Sequence, residues 1–238
     1  MNENIKTSNG VNSKDQPSFI FLILLVFTDI GFVLIYFIDL LSPNPNKMLS
    51  IGSDRGFPEL FQYIKFSWII ILFTIQTYNK KSLQFFIWAI IFAYFLVDDA
   101  FRIHENMGIL ISSRFSMTPQ LGLSAQNIGQ IIYIALGGTI ILLLVYYSIR
   151  SASNNDRKIF YNLTFLMLIL IFFGFFIDIA NSAFNLRREL RFLMIILEDG
   201  GEMVSVSVIL WYAFNLETHK INHDYFLVKL FKNRNVIK

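Results

Sequence analysis

The sequence predicts an all-α, polytopic integral membrane protein: a six-transmembrane-helix bundle with both termini cytoplasmic. Three observations predict it. Of 238 residues, 55% are hydrophobic and 16% charged, where a soluble domain carries about 25% charge, and mean hydropathy is +0.53. The 26 Phe and 10 Tyr supply the bulky apolar surface that lipid-facing helices use. Six stretches are long enough to cross roughly 30 Å of hydrocarbon at about 20 residues each.

The composition also excludes function classes. With no Cys there is no disulfide framework, thiolate zinc site, iron–sulfur cluster or cysteine nucleophile. Three His are too few to hold the irons of a membrane desaturase or hydroxylase. A retinal protein needs a Lys deep inside a helix, and none is expected in these spans. The net charge of +3 sits on segment ends and the tail, as basic flanks of membrane helices do, so no nucleic-acid role is expected.

Residues 1–17 are polar and read as a flexible N-terminal tail. The apolar run that follows is too long for the core of a signal peptide, carries Asp29 and lacks a small-residue cleavage site, so it is expected to remain as the first span. The transmembrane domain, 18–216, is expected to contain spans at about 18–41, 60–78, 83–104, 127–149, 159–184 and 190–215. The second is the weakest, because Gln62, Lys65, Ser67 and Gln76 interrupt it. Lys80, Lys81, Arg150, Arg157, Lys158 and the basic C-terminal tail share one side, which the positive-inside rule makes cytoplasmic. A multi-pass protein of a bacterial inner (cytoplasmic) membrane is the expected setting.

Between the spans, outer loop one is irregular from Ser42 to Asn46 and turns at Asp54-Arg55-Gly56. Outer loop three, 106–126, is half apolar and reads either as an interfacial or re-entrant segment or as a plain connector. Residues 217–238 form a basic amphipathic C-terminal tail, with Phe226, Leu227, Leu230 and Phe231 opposite Lys229 and Lys232. His219 and His223 have the i, i+4 spacing of a metal pair but fall on the cytoplasmic side and read as solvated surface residues.

The candidate site comes from charge in the wrong place. Asp98 and Asp99 end span three with Glu105 just beyond, Asp178 ends span five, and Glu198, Asp199 and Glu202 lie in span six. Under the expected topology all of these fall in the outer half of the membrane, with Asp29 deeper. Each acid at the bilayer centre costs roughly 2.5–3.5 kcal/mol, so six of them cost on the order of 15–20 kcal/mol unless paired, protonated or bound to a cation. Helical spacing puts Asp98, Arg102 and Glu105 on one stripe and Glu198 and Glu202 on another. Arg102, Arg187, Arg188 and Arg191 are the candidate charge partners, although Glu202 lies about 17 Å along the helix from Arg191.

A set of hard oxygen ligands suits a proton or a divalent cation such as Ca, Mg or Mn, and adding the imidazole of His104 to Glu105, Glu198 and Glu202 would also suit Zn. The leading expectation is therefore an ion or proton channel or transporter with an acidic cation-binding cavity, using Asp98, Asp99, Glu105, Asp178, Glu198, Asp199, Glu202 and Asp29 as binding or relay groups. The alternatives are a metal-dependent intramembrane hydrolase acting on a lipid-like substrate, and a non-catalytic membrane subunit or sensor with structural acid–Arg pairs. Expected partners are the lipid bilayer and an inorganic cation or proton, with a second copy of the chain or a partner membrane subunit as further candidates.

Overall fold

A computed structural model describes residues 16–184 and 188–218, with the side chains of Gln16, Asn155, Arg188, Glu189 and Arg191 left out of the description. Among the described residues the chain is all helical, without strands. Five segments are long and apolar enough to cross a membrane: Pro17–Leu40, Phe57–Lys80, Leu83–Ala100, Ala125–Ser151 and Asp156–Ala183.

Local sequence explains the helix ends. Helix α1 (Gln16–Leu40) leads through loop one, residues 41–56, to α2 (Phe57–Lys80). Pro58 stands in the first turn of α2, where its missing N–H leaves no bond unmade, and the helix closes on Lys81 in the left-handed conformation. Helix α3 (Leu83–Ala100) is followed by α4 (Ile103–Arg114) and α5 (Ala125–Ser151). The hydroxyl of Ser124 caps α5 by accepting from the Asn127 N–H at 3.1 Å. Ser153 caps α6 (Asn154–Ile171) in the same way.

Three corrections to the expected spans follow. The third span does not run to residue 104: α3 stops at Ala100 and Arg102 takes a positive φ of 52° before α4 begins. The half-apolar third loop is consequently mostly helix, packed against α5 as a hairpin. Its seam is Gly108 on Gly129, where a Cβ on Gly108 would stand 2.9 Å from the Gln126 carbonyl oxygen. The run expected as the sixth span is helical but divided into α8 (Arg188–Ile195), a π-helical turn (Ile196–Gly200) and α9 (Gly201–Thr218). Its Glu202, Ser205, Ser207, Asn215 and Glu217 make it less apolar than the five segments above. Span five is likewise interrupted, by a π turn at Phe172–Ile177 ahead of α7 (Asp178–Ala183).

Helix α9 packs against α1, α2 and α6, while α3 links α2 to α5. Beyond Lys65, away from loop one, the interior is mostly apolar, with Gln76 and Ser148 as buried polar side chains: Phe66, Ile69, Phe73, Trp88, Phe92, Phe160, Val206, Ile209 and Ala213 are all 2% exposed or less. The Trp88 and Phe160 rings stack at 6.4 Å, and the buried indole N–H donates to Ser148 Oγ at 3.1 Å. The N-terminal tail and the tail beyond Thr218, with His219 and His223, lie outside the described residues.

Candidate functional site: an acidic cluster above a buried ion pair

Lys65 is fully buried in the middle of α2. Its ammonium donates to Asp29 Oδ1 on α1 at 2.9 Å, to the Met203 carbonyl at 2.8 Å and to Ser207 Oγ at 3.2 Å, both on α9. Those three bonds use all three of its donors. The second Asp29 oxygen accepts from Ser207 at 2.5 Å, and the Phe61 ring centroid stands 5.0 Å from Nζ. The expectation that no Lys sits deep in a helix is therefore wrong, and Asp29 has a cationic partner on a neighbouring helix.

The acids gather one turn above Lys65, toward loop one, and separate by partner. Glu202 accepts from the Gln62 amide at 2.8 Å and packs against Gly174 in the first π turn, where a Cβ would come within 3.2 Å of its carboxylate. Asp199 lies under loop one: a Cβ on Gly52 would stand 3.0 Å from its Oδ2. Ile51 beside it is buried with Tyr36 and Met203, so the loop is held down over the cluster by apolar packing. Glu198 reaches Asn181 on α7 at 3.4 Å. Glu202 interacts electrostatically with Asp99, Asp199, Glu198 and Lys65, Asp199 with Glu198 and Asp99, and Glu59 with Asp99 and Asp199. Tyr63 hydrogen-bonds Glu59 on the same face of α2. Both π turns meet at this level, and such turns re-aim side chains where a regular helix would carry them past one another.

The break after α3 sets the remaining partners. Because the chain reverses at Arg102, its guanidinium leaves the stripe that a continuous helix would give it and pairs with Glu105 and, at 3.1 Å, with Asp54 of loop one. Asp98 is instead held by His104 Nδ1 at 2.8 Å and by the Tyr133 hydroxyl at 2.9 Å, with Tyr94 donating to Tyr133 at 3.3 Å. Burial disfavours the charged imidazole of His104, yet the bond to Asp98 and the charges of Asp98, Glu105 and Asp99 outweigh it and raise its pKa. Asp178 is near enough to His104 and Glu105 to feel both charges. Arg187 and the side chains of Arg188 and Arg191 lie outside the described residues.

For a metal, the expected set of His104, Glu105, Glu198 and Glu202 is not gathered. Among the described residues no group of three or more His, Asp or Glu side chains is positioned to hold a metal ion. A groove of about 680 Å³ lies nearby between α6 and α9, but its lining, including Leu166, Phe173, Leu197, Gly201 and Val204, is almost wholly apolar. The residues that sequence reasoning left out of the site are Lys65, Gln62, Glu59 and Tyr63, all on α2. Their signal was present as a line of polar side chains on the least apolar of the five long segments.

Long apolar helices enclosing such a cluster are consistent with a multi-pass helical membrane protein. A family model described as a domain of unknown function (DUF8692) matches residues 18–218, and the chain belongs to that family. No curated protein and no solved structure matches the chain.

Proposed function

We propose that the protein is a cation or proton transporter of a bacterial cytoplasmic membrane, with six spans, both termini cytoplasmic and the acidic cluster on the outer side. In this reading α8, the second π turn and α9 make the sixth span, and the basic residues at Lys80, Lys81, Arg150, Arg157 and Lys158 set the orientation. The observation that carries the reading is the run of polar groups from the cluster to mid-membrane, Asp199 and Asp99 to Glu202 and Gln62, then to Lys65 and Asp29. Intramembrane ionisable groups in such a series mark ion or proton pathways.

The path ends there. From Lys65 to Gln76, the next buried polar side chain on α2, is about 16 Å along the helix, and Phe66, Ile69 and Phe73 fill that interval. Loop one lies against Asp199 at the other end, where Asp99, Glu198, Asp199 and Glu202 stay partly exposed. A polar path that stops at Lys65 and Asp29 fits a transporter that opens alternately better than it fits an open channel.

Purified protein in liposomes carrying a pH-sensitive dye tests the proposal. Imposed gradients of H⁺, Na⁺, K⁺, NH₄⁺ or Ca²⁺ should drive flux in the native chain, and Glu202→Gln should reduce it at least tenfold while the protein stays folded. No flux under any of these gradients would overturn the reading. It would leave the second one, a non-catalytic membrane subunit or sensor, which is favoured by the internal partners of two of the acids, Lys65 for Asp29 and His104 with Tyr133 for Asp98.

A further inference from the structure

Gln62 is 5% exposed, and its amide nitrogen is used by Glu202, yet its carbonyl oxygen is buried without a hydrogen-bond partner among the described residues. A buried acceptor left unmet is costly, so some donor is expected to occupy this place in the working protein. Lys65, one turn along α2, cannot be that donor, since its three N–H bonds already go to Asp29, Met203 and Ser207. Turning the amide over would not satisfy both ends: its carbonyl would then need an O–H from Glu202, and the N–H₂ would take the unpartnered place. Around it Glu202, Asp99, Asp199 and Glu59 crowd carboxyl oxygens together, and the Lys65 ammonium acts on Glu202 only through space. A donor arriving at Gln62 Oε1 beside these carboxyls is held most strongly when it carries positive charge.

We infer that the deep end of the cluster, formed by Gln62 Oε1 and the Glu202 carboxylate, is a binding site for a small ammonium-type cation, either ammonium itself or a primary amine. This rests on the transport reading and names its cargo class. The protein already shows how it holds such a group, because the Lys65 ammonium sits in a cradle of one carboxylate, one carbonyl, one hydroxyl and one aromatic ring. The Gln62 and Glu202 pair repeats the carboxylate and carbonyl parts of that cradle with no ammonium of its own. A bare metal ion is a poorer match. It needs several oxygens converging at about 2.0–2.6 Å, whereas an N–H donor bonds two or three acceptors singly at about 2.8–2.9 Å.

The test is the melting temperature of the purified full-length chain at fixed pH and ionic strength, with NaCl or KCl replaced stepwise by ammonium chloride or methylammonium chloride. Ammonium should raise it saturably, by roughly 5–10 °C at a hundredfold excess over the dissociation constant. A response to ammonium alone assigns that ion, and a response to both probes assigns primary amines. Gln62→Leu, which keeps the bulk and removes the acceptor, should abolish the response. Gln62→Glu keeps an oxygen at the position and should retain it, which covers the case in which the Leu variant fails to fold. Equal stabilisation by Na⁺, K⁺ and ammonium, or a response that survives Gln62→Leu, would overturn the inference. Ion flux in liposomes without any ammonium response would refute this site while leaving the transport reading standing.

Discussion

The Lys65–Asp29 pair gives the sharpest test of the packing argument. Both side chains are 1% exposed or less, and the pair joins α1, α2 and α9 through Met203 and Ser207. Lys65→Met would leave Asp29 with Ser207 as its one remaining donor, a buried carboxylate without a counter-charge, at a cost of about 3–5 kcal/mol. Asp29→Leu would leave the ammonium with the Met203 carbonyl and Ser207 Oγ and should cost a similar amount. Replacing both removes both desolvation penalties, so the Lys65→Met, Asp29→Leu double variant should lie within about 1–2 kcal/mol of the native protein or exceed it. The non-additivity should therefore be on the order of 5 kcal/mol, read from reversible unfolding in mixed detergent micelles by far-UV circular dichroism. A surface pair would behave otherwise, with coupling of about 0.2–1 kcal/mol. If each single variant costs less than about 1 kcal/mol, or if the double variant costs their sum, the pair is not desolvated and the polar path does not reach mid-membrane as argued.

Two further outcomes follow from the same geometry. His104 has a raised pKa in the folded state, so the stability it contributes is fully present below its unfolded value, about 6.5, and is lost as pH rises through the higher folded value. Melting temperature measured from pH 5 to pH 9 should fall over that window, and Asp98→Asn should flatten the fall; an unchanged profile in that variant would show that Asp98 does not hold the imidazolium. At the α4–α5 seam, Gly129→Ala would drive its methyl into the Gly108 carbonyl group, with an expected loss of roughly 1–3 kcal/mol and earlier proteolysis of the 115–124 connection. A melting temperature equal to the native one would refute that close approach.

Which parts were legible in the sequence depends on how far apart the cooperating residues are. Apolar runs declare themselves residue by residue, and the apolar cores of the first five expected spans are helices in the structure. A shared level of the acids was an expectation built from the distance of each to the end of its own helix, and in the structure Glu202 lies near enough to Asp99, Glu198 and Asp199 to interact electrostatically with them. What could not be read was the break at Arg102. The segment Ala100-Phe101-Arg102-Ile103 contains no Gly or Pro, and yet Arg102 takes a positive φ there, a conformation uncommon for a non-glycine residue. Extending the helix through it put Asp98, Arg102 and Glu105 on one stripe, whereas the real chain sends Arg102 to Asp54 and leaves Asp98 to His104. The π turns hid the fan of Glu198, Asp199 and Glu202 in the same manner, since one extra residue per turn is invisible to a count at 3.6.

Lys65 is the more instructive failure, because averaging hydropathy treats a lysine as a defect in a span when it is the span's most informative residue. A cation that would cost several kcal/mol at mid-membrane persists only if something compensates it, and the compensator can be sought by depth. Asp29 stands 12 residues from the start of the first apolar segment at Pro17, and Lys65 stands 8 residues from the start of the second at Phe57, on antiparallel neighbours. Counted from the loop-one ends of the two segments, Leu40 and Phe57, they lie 11 and 8 residues in, within one helical turn of each other. Matching opposite charges by depth across antiparallel spans would have found the pair. It would also have moved the search for the remaining site onto α2, where Gln62 and Glu59 follow Lys65 toward loop one at spacings of three residues, on the face that meets Glu202.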